Sequence, residues 1–137
     1  MIVRTSCPSS PLDKPLGQAS PRAAPWDPNS CTGYEVFWRC LKTGSAYAEI
    51  VRWNDKIRDF TSLARKKGPE FGVKNGDIVE ATIVGDVIKS YINGVEVLSA
   101  TDDVYQSGSP GIGFNFGCAS TYVDHGFSSF EVETFDN

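Results

Sequence analysis

The sequence is short of the residues on which several kinds of function depend. It has one histidine among 137 residues, which excludes a multi-histidine zinc site and the hydrolytic chemistry built on one. Its four cysteines include no C-x-x-C pair, so neither a zinc ribbon nor a thioredoxin-like redox motif is expected. No apolar run approaches the roughly 20 residues of a transmembrane helix. The chain is therefore not expected to hold structural zinc, to act as a dithiol redox enzyme or to insert into a membrane.

Basic charge is also sparse. Thirteen Lys and Arg residues stand against seventeen Asp and Glu residues, which gives a formal net charge of -4. Binding to a phosphate backbone depends on clustered basic side chains. The cluster Arg65-Lys66-Lys67 is typical of a solvated turn. We therefore expect no nucleic-acid partner.

The first 30 residues differ in composition from the rest. Six of the eight prolines fall between Pro8 and Pro28, and proline interrupts both helices and strands. Residues 1–30 are therefore predicted to be a disordered or extended leader, and residues 31–137 to form the folded domain. No apolar h-region follows Met1-Ile2-Val3-Arg4, so no signal peptide is expected in this chain.

Successive hairpins dominate the middle of the chain. Residues 77–84, 87–92 and 95–100 are rich in β-branched residues and are separated by Gly85-Asp86 and Asn93-Gly94. Two-residue breaks of this kind are a strong hairpin signal, because the favoured turns need a positive φ. Further strand candidates lie at residues 34–40, 46–53, 60–64, 111–117 and 127–135. With no convincing helix, the pattern predicts an all-β protein, an antiparallel sandwich or barrel.

One predicted strand indicates which face of the sheet is buried. In residues 77–84 the side chains of Val79, Ala81 and Ile83 form an apolar face, and the alternate positions are partly polar. This pattern predicts a sheet with one buried face and one solvated face.

The cysteines leave two interpretations open. A disulfide between Cys31 and Cys40 would tie the entry loop to the first strand of the domain. The alternative is a set of partly buried thiols, because cysteine packs well as a small apolar side chain.

The hairpin region matches a pattern known from one superfamily. Its elements are Tyr91-Ile92-Asn93-Gly94, then Asp102, then Gly108-Ser109-Pro110-Gly111-Ile112-Gly113. From Gly33 onward the chain resembles the concanavalin A-like lectin/glucanase jelly rolls, which are related to the laminin G-like domains and are common in secreted bacterial proteins. The resemblance implies an antiparallel β-sandwich of jelly-roll type, in a shortened version, with an extracellular or periplasmic location. A shortened sandwich leaves a sheet edge exposed, which favours a homo-oligomer.

Three functions follow from the resemblance. Retaining glucanases of this superfamily share a Glu-x-Asp-x-x-Glu strand motif, and that string is absent here. The leading hypothesis is therefore a non-catalytic carbohydrate- or ligand-binding module of a secreted bacterial protein. The first alternative is a small hydrolase, with or without calcium, that acts on a glycan or on a small ester or lactone. The second alternative is a structural adhesion module.

Each hypothesis has its own candidate residues. Sugar recognition needs exposed aromatic faces next to polar groups, and the candidates are Trp38, Trp53, Tyr91, Asn115 and Tyr122. A hydrolase would use His125 as a general base beside Asp124.

If the chain holds a metal ion, calcium is the one expected. Hard cations prefer carboxylates in loops, and many members of the resembled superfamily carry a structural calcium. The candidate ligands are Asp102, Asp103 and Asp136. The alternative for these residues is ordinary turn formation, with no cofactor.

Overall fold

The computed structural model describes the backbone of residues 2–7, 30–40, 42–56, 58–116 and 126–134, and side chains from residue 30 up to 113 and from 126 to 134 within these ranges. The strands are β1 (Ile2–Cys7), β2 (Ser30–Arg39), β3 (Tyr47–Lys56), β4 (Phe60–Lys67), β5 (Val79–Val84), β6 (Val87–Ile92), β7 (Val95–Thr101) and β8 (Gly111–Phe116). A short 3-10 helix spans Pro69–Phe71. No helix in these ranges is long and apolar enough to cross a membrane.

The strands form two sheets. One has five strands in the order β4-β3-β2-β1-β8, and the other has three in the order β5-β6-β7. The small sheet is an antiparallel meander, and its turns have positive φ at Gly85 (62°), Asn93 (50°) and Gly94 (78°). The all-β class and the hairpins predicted from these turn residues are confirmed.

Strand β1 corrects the prediction that residues 1–30 hold no strand. It precedes Pro8, the first proline, and is rich in β-branched residues, which favour strands. It pairs in parallel with both β2 and β8, so the prediction of a purely antiparallel sandwich is wrong at this strand. The connection through residues 8–29 is long enough for a parallel pair, which needs a crossover of about a dozen residues or more.

At residues 127–135 the prediction and the structure differ in the opposite way, because a predicted strand is absent from the described residues. The alternating pattern of this segment predicted a strand, but residues 126–134 belong to no strand. A strand needs a hydrogen-bonded neighbour as well as a suitable pattern, and no strand pairs with this segment in the described chain.

The core lies between the two sheets. The large sheet contributes Trp38 and Ile50, and the small sheet contributes Ile88; all three are fully buried. The other buried members are Tyr34, Val36, Ala48, Val73, Ile92 and Leu98. Val79, Ala81 and Ile83 pack against this core, while Ile78 and Val84 on the opposite face of the same segment are 71% and 54% exposed. The predicted division into a buried face and a solvated face is confirmed.

One polar side chain interrupts the core. Ser90 lies in β6 between Ile88 and Ile92, is fully buried, and its Oγ has no hydrogen-bond partner among the described residues. A buried hydroxyl without a partner loses about 1–3 kcal/mol of solvation. We expect Ser90→Ala to raise the free energy of unfolding by about 1 kcal/mol in urea denaturation. The exposed Ser99 gives the control, because Ser99→Ala should change it by less than about 0.5 kcal/mol; a clear loss for Ser90→Ala would contradict the prediction.

The expected Cys31–Cys40 disulfide is wrong. Cys31 lies at the beginning of β2 and Cys40 just after its end. Nine residues of extended chain span roughly 30 Å, whereas the Cα atoms of a disulfide lie within about 7 Å. Cys40 is nevertheless disulfide-bonded, so the alternative of unlinked thiols does not hold for this residue.

Candidate ligand-binding face

The large sheet has a second face, opposite the core, which we call the outer face. Because side chains alternate along a strand, every second residue of β2, β3 and β4 points to it. Its described side chains include Glu35, Phe37 and Arg39 from β2, Tyr47, Glu49, Val51 and Trp53 from β3, and Phe60, Ser62, Arg65 and Lys67 from β4. Four of them are aromatic, two are carboxylates and two are guanidinium groups. Aromatic rings, carboxylates and guanidinium groups therefore occur together on the outer face.

Trp53 is the centre of one aromatic group on the outer face. Its indole Nε1–H donates a hydrogen bond to Glu35 Oε2 at 2.6 Å, and its ring lies 5.3 Å from that of Phe60, at an interplanar angle of 56°. Trp53 is partly exposed and Phe60 is 48% exposed. We call Trp53 and Phe60 the aromatic platform. The bond to Glu35 fixes the orientation of the indole while part of the ring stays open to solvent.

The space beside the platform is open. Gly33 lies directly opposite Trp53 in the β2–β3 register. Its φ of +131° suits glycine, and a Cβ placed there would meet no heavy atom within 4 Å. A side chain at this position would extend into the space beside the indole. Gly33 therefore leaves room for a ligand there.

Tyr47 is the centre of a second group at the other end of β3. The guanidinium of Arg65 lies 4.1 Å from the centroid of its ring, and that of Arg39 lies 5.5 Å from it. The ring of Phe37 meets it edge-on at 5.6 Å. The side chain of Arg65 is 52% exposed, so its donors remain accessible. We call this group the Tyr47 cluster.

Two carboxylates lie beneath these aromatic groups. Glu35 and Glu49 are only 5% and 6% exposed. Glu35 accepts the Trp53 hydrogen bond, and Glu49 forms an ion pair with Arg65 at 4.0 Å. Paired carboxylates on one face are what a glycosidase uses. Here each carboxylate binds a neighbouring side chain, so both position the aromatic and guanidinium groups around them.

A separate polar network surrounds Asp102, just after β7. Its carboxylate accepts hydrogen bonds from Tyr34 Oη at 2.6 Å and from Arg52 Nη1 at 2.5 Å, and a third from the Val104 N–H at 3.2 Å. Tyr105 closes the network, since its N–H donates to Tyr34 Oη and its own hydroxyl donates to the carbonyl of Trp53. The segment after β7 is therefore attached to β2 and β3 through one carboxylate.

The ionisation of this network follows from its contacts. Burial alone would raise the pKa of Asp102, but the hydrogen bonds from Tyr34 and Val104 and the charge of Arg52 outweigh it and hold the pKa below its ordinary value. Burial raises the pKa of the Tyr34 hydroxyl, and the hydrogen bond to Asp102 raises it further. At neutral pH the network therefore contains a carboxylate anion, a guanidinium cation and a neutral phenol.

The structure separates the aromatic residues predicted to bind ligand. Trp38 is fully buried in the core, so it is a core residue with no surface for a ligand. Trp53 lies on the outer face of the large sheet. Tyr91 shares a face of β6 with Lys89, opposite the buried Ser90, which places it on the far side of the small sheet. Asn115 lies in β8, but its side chain and all of Tyr122 fall outside the described residues.

The calcium hypothesis does not fit Asp102. Both of its carboxylate oxygens are engaged, and Arg52 already neutralises its charge. Asp103 is exposed, and the described residues contain no group of three His, Cys, Asp or Glu side chains suited to a metal. Asp136 lies outside the described residues, as do the predicted catalytic residues His125 and Asp124. For those three residues the predictions stay predictions.

Several residues of the outer face were not among the predicted site residues, namely Glu35, Phe60, Arg39 and Arg65. The sequence carries a signal for some of them. The alternation of β2 places Glu35, Phe37 and Arg39 on one face, a mixture of charge and aromatic character. The contact between Glu35 and Trp53 depends on the β2–β3 register, for which the sequence has no comparable signal.

Comparison with known proteins finds no match for this chain among protein-family models, curated proteins or solved structures.

Proposed function

We propose that the chain is a non-catalytic carbohydrate-binding module of a secreted protein, built as a jelly-roll-type sandwich, and that it binds its ligand on the outer face. The observation that carries the proposal is the aromatic platform. An indole fixed by Glu35 lies beside an open space at Gly33, with the half-exposed ring of Phe60 next to it.

The chemistry of a sugar suits this surface. The C–H face of a pyranose packs on an aromatic ring, and its hydroxyl groups require hydrogen-bond donors and acceptors at the rim. The Tyr47 cluster supplies guanidinium donors from Arg39 and Arg65. Near the platform, Asp55 is exposed and accepts a hydrogen bond from Ser30. Rings and polar groups thus occur together along one strand.

The spacing of the two aromatic groups favours a chain of sugars. Tyr47 and Trp53 lie six residues apart on the same face of β3, which corresponds to about 20 Å. A monosaccharide is too short to contact both. An oligosaccharide lying along β3 would contact both groups, so the affinity should rise with the number of sugar units.

The disulfide at Cys40 supports a secreted location. Disulfides persist in oxidising compartments and are rare in the cytosol.

A binding assay tests the proposal directly. The chain is screened on a glycan array, and its best oligosaccharide ligand is titrated by calorimetry against the wild type and Trp53→Ala. We expect Trp53→Ala to weaken binding by at least about tenfold, because a central tryptophan is commonly a dominant contact. Tyr91→Ala is the matched control, since Tyr91 lies on the other sheet, and it should bind as the wild type does.

The same variants separate the proposal from its rivals. Absence of binding to any oligosaccharide, or a loss in Tyr91→Ala but not in Trp53→Ala, would contradict a site on the outer face. Hydrolysis of a glycan, ester or lactone that disappears in His125→Ala would show an enzyme instead. Circular dichroism of each variant checks that the fold is intact.

A further inference from the structure

Both sheets end on the same side of the molecule. Strand β4 is the edge of the large sheet and β7 is an edge of the small sheet. Between them lies an open groove of about 360 Å³, lined in part by Arg65, Lys66, Glu96 and Ser99. An edge strand has backbone N–H and C=O groups without a neighbouring strand, and it readily pairs with another chain.

The charge of this edge is basic. Glu96 is neutralised by Lys89 at 2.9 Å, and Arg65 lies near Glu49. Lys66 and Lys67 are exposed, and neither forms an ion pair with another described side chain. Two uncompensated positive charges therefore remain at the end of β4.

Residues 127–134, which we call the tail, have the complementary character. Glu131 and Glu133 are exposed, and neither forms an ion pair within the described part of the chain. Phe130 and Val132, which alternate with them, are 48% and 49% exposed. The tail thus has the pattern of a strand, with an acidic face and an apolar face, but it pairs with no strand in the described chain.

We propose that the tail of one copy of this chain docks on the β4 edge of a second copy as an additional strand. The tail has eight residues, as does β4. Docking turns the apolar face of the tail, with Phe130 and Val132, into the groove between the sheets. Its acidic face, with Glu131 and Glu133, then lies on the outer side of β4, where Lys67 stands opposite Tyr47. Lys66 lies at the same end of β4, on the groove side. The exchange is reciprocal, because each copy has one tail and one edge. The product is a closed two-fold dimer in which both β4 edges are covered.

A charge-exchange experiment tests this dimer. The wild-type mass is measured by light scattering over a range of protein concentration, and we expect it to rise toward twice the chain mass of 14.9 kDa. The edge variant Lys66→Glu/Lys67→Glu and the tail variant Glu131→Lys/Glu133→Lys should each dimerise at least about tenfold more weakly, since the attraction between the acidic tail and the basic end of β4 becomes a repulsion. When the two variants are mixed, the acidic β4 edge of the edge variant meets the basic tail of the tail variant. The basic β4 edge of the tail variant meets the acidic tail of the edge variant. The mixture should therefore form a mixed dimer.

The matched control is Lys56→Glu/Arg58→Glu. These side chains are also exposed and without an ion pair among the described residues, and the control makes the same change in net charge away from the groove. It should dimerise as the wild type does. Three outcomes would overturn the proposal: a wild type that stays monomeric, an edge variant no weaker than this control, or variants that fail to associate when mixed. In the last case, loss of thermal stability in both variants would show that the tail docks on its own chain.

Discussion

Replacement of Ile50 by alanine is expected to lower the free energy of unfolding by about 3 kcal/mol, within the 2–5 kcal/mol typical of a buried isoleucine. Ile50 is fully buried in β3 and belongs to the core between the two sheets. Its truncation removes apolar contact area and leaves a cavity that the strands on either side can fill only in part. Urea denaturation measures the loss, which in a chain of this size corresponds to roughly 10 °C in Tm.

The chain offers a matched control in Ile78, which is 71% exposed. Ile78→Ala removes the same atoms but leaves no buried cavity, so it should change the free energy of unfolding by less than about 0.5 kcal/mol. Ile50→Val should cost about 1 kcal/mol, because it deletes a single methyl group. Equal effects at Ile50 and Ile78 would show that the core does not lie between the sheets.

Local signals were sufficient to predict the small sheet. Its strands are joined by two-residue turns, and a turn of this kind needs residues that tolerate a positive φ. Gly85, Asn93 and Gly94 meet that requirement and have the expected backbone conformation. The neighbours of β6 in space are its neighbours in sequence, so a reading along the chain also gives the pairing.

The large sheet could be predicted only in part, because its pairing is non-local. Strand β1 lies between β2 and β8, one separated from it by residues 8–29 and the other by most of the chain. Neither pairing is made through a short turn, so no turn residues in the sequence indicate it. The tail shows the converse. Its sequence has the pattern of a strand, but in the described chain it pairs with no strand.

The candidate site was limited by a different ambiguity. Alternation shows which residues share a face, but not which face is buried. Trp38 and Trp53 both lie in alternating strands and look alike in the sequence, yet one is in the core and the other on the outer face. The contact from Trp53 to Glu35 depends on the register of β2 against β3, whose connection lacks the two-residue turn that would have fixed it.

Asp102→Ala is expected to be the most damaging change outside the apolar core, with a loss of about 2–3 kcal/mol, the scale of hydrogen bonds to a charged group. The side chain of Asp102 is 10% exposed and that of Arg52 is 22% exposed. Its removal leaves Arg52 Nη1 without the carboxylate to which it donates, away from most of the solvent. The Tyr34 hydroxyl loses its shorter hydrogen bond and keeps only the one to the backbone carbonyl of residue 102, at 3.1 Å. Asp103→Ala is the matched control, because the neighbouring carboxylate is exposed and should contribute less than about 0.5 kcal/mol.

The pH dependence of the unfolding free energy shows whether Asp102 stabilises the fold through its charge or through the packing of its side chain. The pKa of Asp102 is lower in the folded chain than its ordinary value near 3.9, so the unfolded chain takes up a proton first as the pH falls. The stabilisation by the ionised carboxylate is therefore complete above about pH 4 and is lost as the pH falls through the folded pKa. Asp77 has a lowered pKa as well, so acid sensitivity of the wild type alone does not identify Asp102.

The difference in unfolding free energy between wild type and Asp102→Ala isolates the contribution of Asp102. This difference should be constant from pH 7 to about pH 5 and shrink below pH 4. A difference that stays constant down to pH 2 would mean that Asp102 stabilises the fold without its charge, and would contradict the ion pair with Arg52 as the source of the effect.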